Sequence, residues 1–270
     1  MTLVSAPGRQ SACQDTLDRR YCYCLTLEYV GTSFHGFQRQ PGLATIHGAL
    51  ESAASTYTGT EVVARYAGRT DKGVHAVGQV AAFDLAREVD TDRALIGLNA
   101  LLPDGIAVTA LARAREGFDP RRDALWREYR YFILNRKSPS PILEERVFHV
   151  AKPLDLRMME EACALFPGEH DFSAFRVKGG SDVSAVRNVL KCDVVRVSQD
   201  LLCIRVIANA FLYRMVRVMA GAIFSVGRGR MSLDDLRRHL DGSGKPCADP
   251  LPARGLYLWR VAYPDDIHEA

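Results

Sequence analysis

The stretch Tyr66-Ala67-Gly68-Arg69-Thr70-Asp71-Lys72-Gly73-Val74-His75-Ala76-Val77-Gly78 gathers three glycines with Arg69, Asp71, Lys72 and His75, and shows no helical amphipathicity. Loops on a rigid scaffold are where reactive side chains are usually placed. A carboxylate presented there can serve as nucleophile or general base. Arg69, two residues away, could hold a phosphate while Asp71 acts. The competing reading is a solvated turn, in which Asp71 bonds its own backbone and Lys72 stays in water. Against it, the connection from Tyr66 to Gln79 is longer than a hairpin needs, and long ordered connections tend to be functional. A second source of charge lies far along the chain. From Leu201 to Ser232 there are five arginines (Arg205, Arg214, Arg217, Arg228, Arg230) and no acid, in a chain whose formal charge is only +3. Such a local surplus suits a surface that follows phosphates. Arg214 and Arg217, three apart, are expected on one helix face, and that helix offers a cation to pair with a buried carboxylate.

The elements that must position these groups alternate in type. Tyr23, Leu25, Leu27 and Tyr29 alternate with Cys24, Thr26 and Glu28, the period of a strand. Ile46, Ala49, Leu50, Ala53, Ala54 and Tyr57 fall at helical spacing, with Thr45 as N-cap and Gly59 as the stop. Val62 to Tyr66 and Gln79 to Asp84 predict strands on either side of the glycine-rich loop. Thr91 is expected to cap a helix bearing Leu95, Leu98, Leu101 and Leu102, ended by Pro103-Asp104-Gly105, before a strand from Ile106 to Leu111. The order β-α-β-β-α-β is that of a ferredoxin-like unit. The second half is similar in kind: strands at Trp126–Leu134 and Arg146–Val150, a helix at Leu156–Phe166, and a hairpin of Asn188–Val197 with Leu201–Ala208. A helix at Tyr213–Val226, a short one capped by Ser232, and a closing strand at Leu256–Tyr263 follow. The expected class is α+β, with two ferredoxin-like or RRM-like halves and largely antiparallel sheets flanking a central basic cleft. The boundaries are a disordered tail at 1–20, an N-terminal domain with the reactive loop at 21–118 and a C-terminal domain at 119–265.

Composition narrows the function. The 270 residues are 47% hydrophobic and 25% charged, enough for a substantial core. No apolar run approaches the roughly 18 residues that a membrane-spanning helix needs. The first twenty residues are polar and resemble no secretory signal. Seven cysteines, an odd and scattered set, suggest reduced thiols and a cytoplasmic location, and Cys22 and Cys24 are expected in the core. Of 35 basic residues 29 are arginine, the better residue for forked phosphate contact and for stacking on bases, although a genome that favours arginine would leave the same bias. Gly68 to Gly73 has the spacing of a phosphate loop, but Val74 and His75 stand where Lys and Ser or Thr are required. Gly227-Arg228-Gly229 lacks the third glycine of a dinucleotide fingerprint, and the histidines show no ligand spacing with cysteine. Neither a metal nor a cofactor is expected.

Gly68-Arg69-Thr70-Asp71-Lys72-Gly73-Val74-His75 resembles the signature loop of the tRNA pseudouridine synthase A (TruA) family. The resemblance runs along nearly the whole chain. It includes Glu28 to Gln40, Leu98-Asn99-Ala100-Leu101-Leu102-Pro103, Glu128-Tyr129-Arg130-Tyr131, His170 to Arg176, Ala208 to Arg217, Gly227-Arg228-Gly229 and Ala253 to Leu258. Val30, Phe37 and Arg214 depart from the family's usual Asp, Trp and His. The resemblance implies isomerisation of uridine to pseudouridine at positions 38–40 of the tRNA anticodon stem-loop, by a homodimer without cofactor. It implies that Asp71 acts as nucleophile or base and that Arg217 keeps it ionised and aimed. Arg69 would fill the space left by a flipped nucleotide, and Tyr129 would stack on the uracil. Lys72, His75, Arg176, Arg187, Arg214, Arg228 and Arg230 are the further candidates for phosphate contact or for shaping the cleft, and Asn99 reads as structural. Two other classes remain open on the residues alone. One is a non-catalytic RNA-binding protein of the same fold. The other is a glycosidase, disfavoured because no second acid accompanies Asp71 in its loop.

Overall fold

The computed structural model describes residues 20–177, 184–241 and 246–267, so the expected tail lies outside them but for Arg20. β1 (Tyr21–Tyr29) buries Tyr23, Leu25, Leu27 and Tyr29 on one face, as its alternation requires. α1 (Ile46–Thr58) begins where the Thr45 hydroxyl accepts from the Gly48 N–H and ends at Gly59. β2 (Arg65–Tyr66), β3 (His75–Leu85), α2 (Thr91–Leu101) and β4 (Ile106–Ala114) complete a first unit. Its strands lie in the order β4-β1-β3-β2, all antiparallel. The second unit contains β5 (Trp126–Asn135), β6 (Phe148–Val150), α3 (Leu156–Cys163), β7 (Gly168–Asp171), β8 (Val186–Arg196) and β9 (Leu201–Ala208). It ends with α4 (Met215–Gly227), α5 (Leu233–Leu240) and β10 (Leu256–Ala262). Setting aside the short β6 and β7, its order is β10-β5-β9-β8. Both units therefore follow the same fourth-first-third-second arrangement of a βαββαβ chain.

The halves share one ten-stranded sheet. β10 lies parallel beside β3, pairing His75 with Tyr257 and Ala76 with Leu258, and antiparallel beside β5. α4 is buried along Met215, Val216, Val218, Met219, Ala220, Ala222, Ile223 and Val226, so it is enclosed rather than laid on the surface. The six described cysteines are buried free thiols, Cys22 and Cys24 among them.

The elements differ from the sequence expectations in a few places. β3 starts at His75 rather than Gln79, because Ala76 already pairs with Tyr29 of β1 while His75 pairs with β10. The loop before it therefore shortens to residues 67–74. Asp90, not Thr91, caps α2, its carboxylate accepting from the Arg93 N–H. β7 was not expected at all; it is short, polar and mostly exposed, and carries no apolar alternation.

Candidate active site

Residues 67–74 are clamped on both sides of Asp71. Gln79, fully buried, donates from Nε2 to the Gly68 carbonyl at 2.6 Å. The Tyr29 hydroxyl shares a 2.7 Å hydrogen bond with Thr70 Oγ1. The Phe37 N–H donates to the Thr70 carbonyl at 3.0 Å, and the Gly73 N–H to the Gly31 carbonyl at 3.2 Å. Gly31 and Gly36 make this approach possible. A Cβ on Gly31 would stand 2.0 Å from the Val74 carbonyl oxygen; one on Gly36, whose φ is +92°, would stand 3.0 Å from that of Thr70. His75 belongs to the same bracing. Its Nδ1 accepts from the Gly31 N–H at 3.2 Å, its Nε2 lies 3.1 Å from the Arg254 carbonyl, and its ring stacks on Tyr257. Burial lowers its pKa, so the ring is neutral, with its proton on Nε2. The expectation that His75 meets a phosphate is thus corrected: the side chain is 1% exposed and both nitrogens are engaged.

The cations arrive from the second unit. Arg214 is the one described non-glycine residue with positive φ, at 59°. A side chain in that region costs roughly 1 kcal/mol, and such strain collects at functional sites. It makes Arg214 the N-cap of α4 instead of a residue on the helix face, and the turn lets both arginines reach the same carboxylate. Arg217 Nη1 stands 3.2 Å from Asp71 Oδ2, and Arg214 Nε 3.4 Å from the same oxygen. The two are held differently. Arg217 also donates from Nε to the Leu251 carbonyl at 2.7 Å and its side chain is 12% exposed. Arg214 is 34% exposed and lies over the Tyr213 ring. Both cations occupy Oδ2, which leaves Oδ1 as the oxygen without a described partner.

Tyr129 on β5 closes the floor. It is 9% exposed, sets its ring edge-on to Phe211 at 5.0 Å, and brings its hydroxyl under Gly68. Burial pushes the phenol up to about 12, with Arg127 opposing and Asp71 reinforcing the shift, so it is a neutral donor. Arg69 is exposed and donates from Nε to the Tyr66 hydroxyl at 3.2 Å. Tyr66 in turn packs on Phe37 and His47. Lys72 is exposed beside Asp71, and Arg176 is exposed after the short 3-10 turn Phe172–Phe175. Arg187 turns its guanidinium to the Ser184 and Val186 carbonyls. Arg228 is not brought to Asp71. It caps the C-terminal end of α4, about 20 Å of helix away from Arg214 at 1.5 Å per residue. Asn99 is structural, exchanging two 2.8 Å hydrogen bonds with the Val108 backbone.

Sequence reasoning missed Gln79, Tyr29 and Arg127, whose roles lie in what they hold. The only signal for Gln79 was an amide at the head of the apolar run 80–83. Among the described residues, no three His, Cys, Asp or Glu side chains gather where they could hold a metal ion. Nor is any helix long and apolar enough to cross a membrane.

The chain is similar to known proteins along most of its length. A family model described as tRNA pseudouridine synthase matches residues 162–264. The tRNA pseudouridine synthase A of Agrobacterium fabrum is 42% identical over 247 residues, covering 90% of this chain and 92% of the relative. That of Bacillus velezensis is 38% identical over 241 residues, covering 88% and 97%. That of Caldicellulosiruptor saccharolyticus is 38% identical over 240 residues, covering 88% and 98%. A likeness of this extent, spanning both units and the clamped carboxylate, makes the chain a member of the tRNA pseudouridine synthase A family.

Proposed function

We propose that the protein isomerises uridine to pseudouridine at positions 38–40 of the tRNA anticodon stem-loop, with Asp71 as the reacting carboxylate. The observation that carries the reading is the 3.2 Å contact of Arg217 with Asp71 Oδ2, in a loop clamped from both sides. The reaction breaks the N1–C1′ bond, turns the uracil and rejoins it through C5; the proton that leaves C5 balances the one N1 gains. Asp71 Oδ1 attacks C1′ or removes a sugar proton, and in either role the two arginines hold the carboxylate in place through Oδ2. The target must first leave its stack, at a cost of a few kcal/mol. Arg69, exposed at the loop's rim, would take the vacated space, and Tyr129 would stack on the uracil with its hydroxyl toward C5. Lys72, Arg176, Arg187 and Arg214 would meet phosphates, which makes binding fall steeply with salt. The domains 21–118 and 119–265 then contribute the carboxylate and the cations respectively. A homodimer, with one tRNA lying across both subunits, and a cytoplasmic location complete the reading.

A pure RNA-binding protein would gain nothing from an anion in a surface that meets phosphates. A glycosidase would need a second carboxyl, whereas the described charged partners of Asp71 are both arginines. The test incubates the purified protein alone with unmodified tRNA and chelator, then maps pseudouridine. Modification at positions 38–40 is expected, and Asp71→Asn should slow it by at least about 10³-fold while tRNA affinity stays. Ready turnover by that variant would sink the assignment.

A further inference from the structure

Arg127 lies on the same face of β5 as Tyr129, two residues before it. Its Nη1 donates to the Asn209 carbonyl at 2.9 Å. Its Nη2 donates to the Arg121 carbonyl at 2.6 Å and toward the Ala67 carbonyl at 3.4 Å. Those three carbonyls belong to three different segments. Ala67 is the residue before Gly68, at the entry to the Asp71 loop. Arg121 lies in the connection between β4 and β5, which joins the two units. Asn209 opens the path from β9 to Arg214 and α4. No carboxylate is among the described partners of Arg127, and burial holds its guanidinium below the ordinary arginine range. Arg127 is half-buried, and a partly desolvated cation is held at less cost when its donors are used; here the described donors go to main chain. A planar fork holds several carbonyls at fixed angles, which the flexible ammonium of a lysine does not.

We propose that Arg127 is a positioning residue that fixes the registry of the Asp71 loop, the inter-unit connection and the approach to α4. It thereby sets how Asp71, Tyr129 and Arg217 meet. Misplacing reacting groups by about 1 Å can cost on the order of 100-fold in rate, so this residue acts on the chemical step without touching the nucleotide. The proposal rests on the pseudouridine synthase reading above.

The experiment measures single-turnover rate and Kd on unmodified tRNA for wild type, Arg127→Met and Arg127→Lys, with Tm recorded for each. Arg127→Met should lose about 100-fold in rate and change Kd by less than about threefold. Arg127→Lys keeps the charge without the fork, and should lose about tenfold in rate at a wild-type Tm. If the methionine variant does not fold, the lysine variant decides. A wild-type rate in either folded variant, or a loss that falls on Kd instead, overturns the proposal. Failure of the wild-type protein to modify tRNA would count against the proposed function instead, so the two outcomes stay separate.

Discussion

The two units have one strand order and put their chemistry on different connections. In the first, the link between its second and third strands is the clamped loop 67–74 with its carboxylate. In the second, the same link is the tight turn 197–200, closed by the Val197 N–H on the Leu201 carbonyl, and it carries none of the reacting groups. The second unit places its cations instead at the entry to its second helix, where the first has Asp90 capping α2. The means of holding differ too. Asp71 is aimed by buried hydrogen bonds along a braced backbone, whereas Arg214 is aimed by a strained φ and Arg217 by one carbonyl. A shared scaffold therefore does not dictate which loop reacts; the seam between β3 and β10 selects the connections that face each other.

The sharpest way to break this comparison is on the helix side. Arg217→Met should cut single-turnover pseudouridine formation by about 10²- to 10³-fold, since it removes the more buried and tethered of the two cations. Arg214→Gly should cost only about tenfold and raise stability by up to about 1 kcal/mol, because glycine adopts positive φ freely. Equal rate losses, or a lower Tm for the glycine variant, would erase the distinction between the two arginines. On the loop side, Gln79→Leu removes the partner of the half-buried Gly68 carbonyl and should cost about 1 kcal/mol in denaturant unfolding. An unchanged midpoint would show that the loop holds itself.

The smallest effect expected is a pH dependence. The folded pKa of His75 lies below the ordinary 6.5, so the neutral ring is the stabilising form. Its contribution is fully present above about 6.5 and is lost as pH falls. Wild-type Tm should therefore drop more between pH 7 and pH 5 than that of His75→Gln. Parallel curves would remove His75 from the bracing.

Much of this was legible before any coordinates. Thr45 and Gly59 bound α1 as read, and Ser232 opens α5 with a capping box closed by Asp235. The Asp71 loop and the acid-free arginine segment were visible because charge and glycine are local properties. What escaped was non-local. Arg214 meets Asp71 from some 140 residues away, and no local rule places an arginine in the left-handed region. His75 looked like a ligand group because its partners, Gly31 and Arg254, are distant in sequence. β7 escaped because its pairing with β8, rather than its own composition, makes it a strand.

Strand β10 is made after every other strand, yet it is the one stitched between β3 and β5. During synthesis from the N-terminus, the first unit can order its own strands while the upper edge of β3 stays bare. Arg214 and Arg217, the partners of Asp71, are made only with the second unit, whose final strand closes the seam. A chain that ends before residue 256 accordingly lacks the strand that joins β3 to β5 and seats the second unit against the first.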